Sequence, residues 1–140
     1  VYRLKERYLD RFIGINGGIP TLEAAAEHLN RVDGAMLGRA AYHTPSVLAG
    51  ADAMLAGRGA SEFDFAGLVD TMADYAARHI ARGGRLAHVT RHMVGLFHGM
   101  PGARRWRQIL SEEAVRPAAG PEVLRAAFAA VDLKGAAEAA

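Results

Sequence analysis

Two clusters near the start of the chain have residue types and spacing suited to holding a phosphate: Asn16, Gly17 and Gly18, and then Gly38 and Arg39. A phosphate monoester carries nearly two negative charges at neutral pH, and proteins hold it with backbone N–H groups, a helix N-terminus and a charged fork. Glycine lets the backbone approach the anion because no Cβ stands in the way. Arginine can engage two phosphate oxygens at once, where lysine offers a point charge. Either cluster alone reads as a tight strand-to-helix turn with a surface arginine. The two together, at this spacing, favour a phosphate site.

Both clusters close a short apolar run. Phe12, Ile13 and Ile15 precede the first and Ala35, Met36 and Leu37 the second, the pattern of buried parallel strands running into phosphate-binding turns. Between them, Pro20 and Thr21 open a predicted helix through Leu29, with Thr21 as N-cap, Glu23 favourably placed in the first turn and a small inner face of Ala24, Ala25 and Leu29. The result is a βαβ unit whose loops converge on one ligand. Ahead of it, Val1 to Arg11 is helix-prone, with Val1, Leu4, Tyr8 and Leu9 spaced for one face. After Arg39, Ala40 to His43 makes a short helical turn that Pro45 stops. Tyr42 and His43 read equally as ligand neighbours and as packing or surface groups.

Ala49 to Ala60, rich in small residues, marks the best domain boundary. The remainder reads as helix. Phe65, Leu68, Met72, Tyr75, Ala76, His79 and Ile80 predict one apolar face, closed by Gly83 and Gly84. Leu86, Val89, Met93, Leu96 and Phe97 predict a second, ending near Gly99 and Pro101. Ala103, Trp106, Ile109 and Leu110 mark a third, and Leu124, Ala127, Phe128 and Val131 a fourth, opened by Gly120 and Pro121. Four amphipathic helices with short joins make a small bundle. Lys134 to Ala140 is expected to fray.

The third helix places Arg104, Arg107 and Gln108 on one face. Clustered arginines contact phosphates and stack on exposed bases; a solvated face balanced by Glu112 and Glu113 fits the same residues equally well. Arg91 and His92, with Arg85 and His88 nearby, form a second basic patch. His88 and His92 stand at i and i+4, as two metal ligands on a helix would, yet no glutamate lies between them and no third ligand is presented. RNA contact or a packed imidazole is the better reading, and no metal is expected.

Composition narrows the classes. The 140 residues are 51% hydrophobic, enough for one modest core, and the net charge of +2 with a pI of 9.3 permits an RNA partner without requiring one. The lack of cysteine excludes disulfides and cysteine-type zinc sites and fits a cytoplasmic setting. No apolar run approaches the ~20 residues of a membrane span, so no membrane partner is expected. Walker, Rossmann and Gly-x-Ser-x-Gly fingerprints are missing.

Four blocks in order carry a resemblance: Ile15-Asn16-Gly17-Gly18-Ile19; Asp33 to Tyr42; Thr90-Arg91-His92-Met93 through Gly99; and Pro101-Gly102-Ala103-Arg104. Together they resemble the C-terminal part of the type A tRNA-dihydrouridine synthases, through nearly the whole chain until about Ala114. The resemblance implies a flavoprotein that reduces uridine in tRNA to 5,6-dihydrouridine using FMN and NADPH. In fold it implies α/β then all-α: residues 1–57 are the last two β/α units of an FMN-binding TIM (β/α)8 barrel, and residues 58–140 a helical tRNA-binding domain. Carried onto this chain, Asn16, Gly17, Gly18, Gly38 and Arg39 hold the FMN phosphate, and Arg91, Arg104 and Arg107 meet tRNA. The cysteine general acid that the resemblance implies falls upstream, in a missing barrel portion of the same polypeptide. A chain beginning at Val1, when a complete barrel needs ~250 residues, is then a piece of a longer protein and inactive alone. The competing readings are a non-catalytic RNA-binding module and another flavin- or phosphate-binding TIM-barrel enzyme.

Overall fold

A computed structural model describes residues 1–59 and 63–133. The expected fraying of Lys134 to Ala140, and Ala60 at the end of the expected boundary, lie outside the described residues. The chain divides into two compact units, Val1–Phe63 and Asp64–Ala140. Gly57, the predicted end of the barrel portion, lies inside the first unit.

The first unit combines helices with a small parallel sheet. Helix α1 (Tyr2–Arg7) leads to β1 (Gly14–Asn16), α2 (Leu22–Leu29), β2 (Gly34–Met36), α3 (Arg39–His43), a 3-10 helix at Pro45–Gly50 and α4 (Ala51–Leu55). Strands β1 and β2 pair in parallel with Gly14 opposite Gly34, Ile15 opposite Ala35 and Asn16 opposite Met36. Parallel neighbours need a crossover, and α2 supplies it. The Thr21 Oγ1 accepts from the Ala24 N–H at 3.2 Å, the expected N-cap. The Glu23 carboxyl is held below its usual range by its own backbone N–H and by the Thr21 hydroxyl.

The strands are shorter and more open than the apolar runs predict. Phe12 precedes β1 and is 79% exposed, and β1 has one half-buried residue, Ile15, between two exposed ones. Two strands with α2 against them leave the rest of the sheet uncovered. The Phe12 ring lies over Gly34, where an added Cβ would come within 2.9 Å of its Cζ. Ile19, Ala25 and Val32 are the buried apolar residues of this unit.

Asp33 braces the pair. Its Oδ2 accepts from the Ile13 N–H at 2.8 Å and meets Lys5 Nζ at 2.8 Å, while its own N–H donates to the Ile13 carbonyl at 2.9 Å. Lys5 also donates to the carbonyls of Leu9 and Arg11. The end of α1 and the entrances of both strands are thereby joined through one carboxylate.

The second unit is helical in its described residues: α5 (Phe65–Ala81), α6 (Leu86–Thr90), α7 (Ala103–Glu112) and α8 (Glu122–Phe128). Asp64 caps α5 by accepting from the Gly67 N–H at 2.8 Å. Helix α8 packs against both α5 and α7. At the centre Phe97 is fully buried, edge-on to Trp106 at 4.8 Å and in ring contact with Phe65 and Phe128. Fully burying a side chain such as Phe97, Leu86 or Leu124 contributes roughly 1.5–3 kcal/mol.

Two expectations are corrected here. The buried stripe of α5 is Val69, Ala73 and Ala76, with Phe65, Leu68, Met72 and Ile80 flanking it, and Tyr75 lies outside with half its surface exposed. The predicted helix from Leu86 to Phe97 stops at Thr90. From there Met93, Leu96 and Met100 donate three residues back, to Thr90, Met93 and Phe97, in a run of tight turns. Gly95 and Gly99 are poor helix formers, and the Met93 carbonyl accepts from Trp106 Nε1 at 3.1 Å. The apolar residues of this run are nevertheless buried as their spacing predicts.

Candidate functional site

The parallel register carries both glycine clusters to one place. Asn16 and Met36 are partners across the ladder, so the two chains leave the sheet side by side. Asn16, Gly17, Gly18, Gly38 and Arg39 all line a single cavity of about 600 Å³, within the ~300–1,000 Å³ typical of small-molecule sites. Gly17 and Gly18 have φ of 113° and 70°, where L side chains are strained. Positions built on their backbones for a Cβ meet nothing within 4 Å. Their main chain is therefore open to a ligand.

The cavity suits an anion. Among the described residues no carboxylate lines it, and the Arg39 guanidinium, exposed in the first turn of α3, has no ion-pair or hydrogen-bond partner there. Ile19, Pro20, Met36 and Ala40 add apolar and small surface to the lining, the mixture of apolar walls and a few polar groups common to small-molecule sites. His43 also lines the cavity, edge-on to the Tyr42 ring at 5.6 Å. Its place four residues after Arg39, on the same side of a helix, is the signal in the sequence that could have nominated it.

The basic residues of the second unit lie apart from its core. Arg104, Arg105, Arg107 and Gln108 occupy the outer face of α7, opposite the buried Ala103, Trp106, Ile109 and Leu110. Arg105 donates to Gln108 Oε1 at 3.0 Å, and Gln108 donates to Glu112 Oε1 at 3.1 Å. Arg104 and Arg107 have no such partner among the described residues, so Glu112 and Glu113 do not neutralise them. Arg91, the C-cap of α6, is exposed and its Nε donates to His92 Nε2 at 3.0 Å. Arg85 donates to the Val115 carbonyl at 2.7 Å, which engages it in structure.

Among the described residues no group of three or more histidine, cysteine or acidic side chains is placed to hold a metal ion. No helix there is long and apolar enough to cross a membrane.

A family model described as dihydrouridine synthase (Dus) matches residues 1–132. The chain is 47% identical over 131 residues to a tRNA-dihydrouridine(20/20a) synthase of Shewanella oneidensis, covering 94% of this chain and 39% of that protein. It is 45% identical over 130 residues to the one from Vibrio parahaemolyticus, covering 93% and 40%. With the one from Escherichia coli (strain K12) it shares 44% over 128 residues, covering 91% and 37%. The chain thus spans about 40% of the length of the curated relatives it matches.

Proposed function

The chain belongs to the dihydrouridine synthase family, and from that premise we propose that it is the C-terminal portion of an enzyme that reduces uridine to 5,6-dihydrouridine in tRNA. The first unit is, on this reading, the closing part of a TIM barrel and the second its helical tRNA-binding domain. The observation that carries the proposal is the convergence of Asn16, Gly17, Gly18, Gly38 and Arg39 on one cavity that no carboxylate lines among the described residues. The names of the relatives point to positions 20 and 20a as the uridines modified.

The cavity residues fit FMN. Asn16 would shape the turn, the N–H groups of the glycine turn would donate to the phosphate, and Arg39 would offset its charge. FMN held there would supply the hydride chemistry that uracil reduction requires, with NADPH as the reductant. Arg91, Arg104 and Arg107 hold the tRNA backbone while the base is presented to the barrel. The ring must also gain a proton, and this chain has no cysteine to give it. That acid belongs to the remainder of the protein, and the isolated chain is inactive.

The test is to purify the full-length protein, measure its bound flavin, and assay dihydrouridine in tRNA with NADPH as reductant. Stoichiometric FMN and NADPH-dependent reduction of tRNA are expected. A colourless protein that binds tRNA overturns the enzyme reading in favour of a binding module. A flavoprotein indifferent to tRNA overturns the substrate.

A further inference from the structure

Helix α5 carries, outside the core and away from Arg91, Arg104 and Arg107 in sequence, a second cluster of rings and cations. Tyr75, Arg78, His79 and Arg82 follow one another at i, i+3, i+4 and i+7, the spacing of a single helix face. The rings are ordered against one another. Tyr75 and His79 are stacked with planes 6° apart and centroids at 6.4 Å, and His88 stands edge-on to His79 at 5.5 Å.

Hydrogen bonds and backbone hold this array in place. His88 Nδ1 accepts from the Arg85 N–H at 3.4 Å and lies 3.3 Å from His79 Nε2. Gly84 lies so close to the His79 imidazole that an added Cβ would collide with it. His79 thus lies between Tyr75, His88 and Gly84, while Tyr75 keeps 51% of its surface in solvent.

The cations beside the rings are uncommitted. Arg78 and Arg82 are exposed and have no ion-pair partner among the described residues. The carboxylates of the same helix, Asp70 and Asp74, are both drawn to Arg125, at 2.8 and 3.7 Å. A half-exposed stack of rings flanked by arginines that have no ion-pair partner among the described residues matches unpaired nucleic acid, whose bases stack on aromatic faces and whose phosphates pair with guanidinium groups. Paired strands hide those base faces.

We propose that the Tyr75, His79 and His88 array, with Arg78 and Arg82, binds an unpaired RNA segment, the rings taking bases and the arginines phosphates. This rests on the reading of the chain as part of a tRNA-modifying enzyme and adds to it a contact for single-stranded nucleotides.

The experiment measures dissociation constants of the full-length protein for tRNA, for a short oligouridine and for a fully paired RNA duplex. Tyr75→Ala combined with His79→Ala is expected to weaken oligouridine and tRNA at least tenfold while duplex affinity holds. Tyr75→Phe should keep wild-type affinity because the ring face remains. Arg78→Ala with Arg82→Ala should flatten the salt dependence of oligouridine binding by about 0.7 per arginine. Should the double alanine variant unfold, Tyr75→Leu, which keeps apolar cover without a ring face, replaces it. Wild-type oligouridine affinity in the ring variants, or an equal loss on duplex, overturns the platform and leaves the tRNA-dihydrouridine reading intact. A wild-type protein that binds neither tRNA nor oligouridine overturns both.

Discussion

Asn16 and Met36 sit opposite each other at the last position of the parallel β1–β2 ladder, and this pairing is what makes one site out of two glycine clusters. A one-residue slip would turn every strand side chain to the other face and carry Gly38 and Arg39 out of step with Gly17 and Gly18. The cavity is thus a consequence of register.

Among the described residues Arg39 is the only arginine lining the cavity, and Arg39→Ala in the full-length protein should weaken FMN retention by about 2 kcal/mol or more, the scale of a lost charge-assisted hydrogen bond. Riboflavin, which has no phosphate, should bind the variant and the wild type alike. Flavin content after gel filtration and a fluorescence titration check both, and a wild-type FMN content would remove Arg39 from the site.

On the outer face of α7, Arg104→Ala with Arg107→Ala should reduce the slope of log affinity for tRNA against log salt by roughly 0.9 for each phosphate no longer neutralised. Neither arginine is paired among the described residues, so the substitution breaks no ion pair there. An unchanged slope would mean that this face is merely solvated.

Acid should loosen the first unit through Asp33. The hydrogen bond from Lys5, followed by that from the Ile13 N–H, holds its carboxyl below the usual range. A depressed folded pKa stabilises the fold above the unfolded value of about 3.9, and that stabilisation is lost as pH falls through the folded pKa. Asp33→Asn should therefore flatten the pH dependence of stability below about pH 4. Denaturant melts of variant and wild type from pH 7 downwards check this; parallel profiles would show that the brace has no energetic weight.

In the second unit Trp106→Phe should cost about 1–3 kcal/mol. It removes the bond from Nε1 to the Met93 carbonyl and leaves a void beside Phe97. Because the Met93 carbonyl also accepts from Leu96, the loss falls short of a fully orphaned buried acceptor. Urea unfolding monitored by circular dichroism measures it, and a change within error would mean that the turn run is held by apolar burial alone.

By itself the sequence determined what is local. Apolar runs that end in glycine marked β1 and β2, Thr21 announced the start of α2, and the spacing of Ala103, Trp106, Ile109 and Leu110 identified the buried side of α7. Such signals are written in one or two turns of chain, where period and capping chemistry act directly. The residue blocks that resemble the dihydrouridine synthases were legible for the same reason, and the family match spans residues 1–132. Tertiary structure decided what depends on distant partners. It drew Lys5, Ile13 and Asp33 together, left Phe12 exposed, and ended α6 at Thr90. It also placed His43 beside Arg39 in one cavity and fixed His79 between Tyr75 and His88. Helical spacing already set His43 near Arg39 and His79 near Tyr75; what no periodicity encodes is their meeting with residues farther along the chain, which compete for the same burial, the same carbonyl or the same charge.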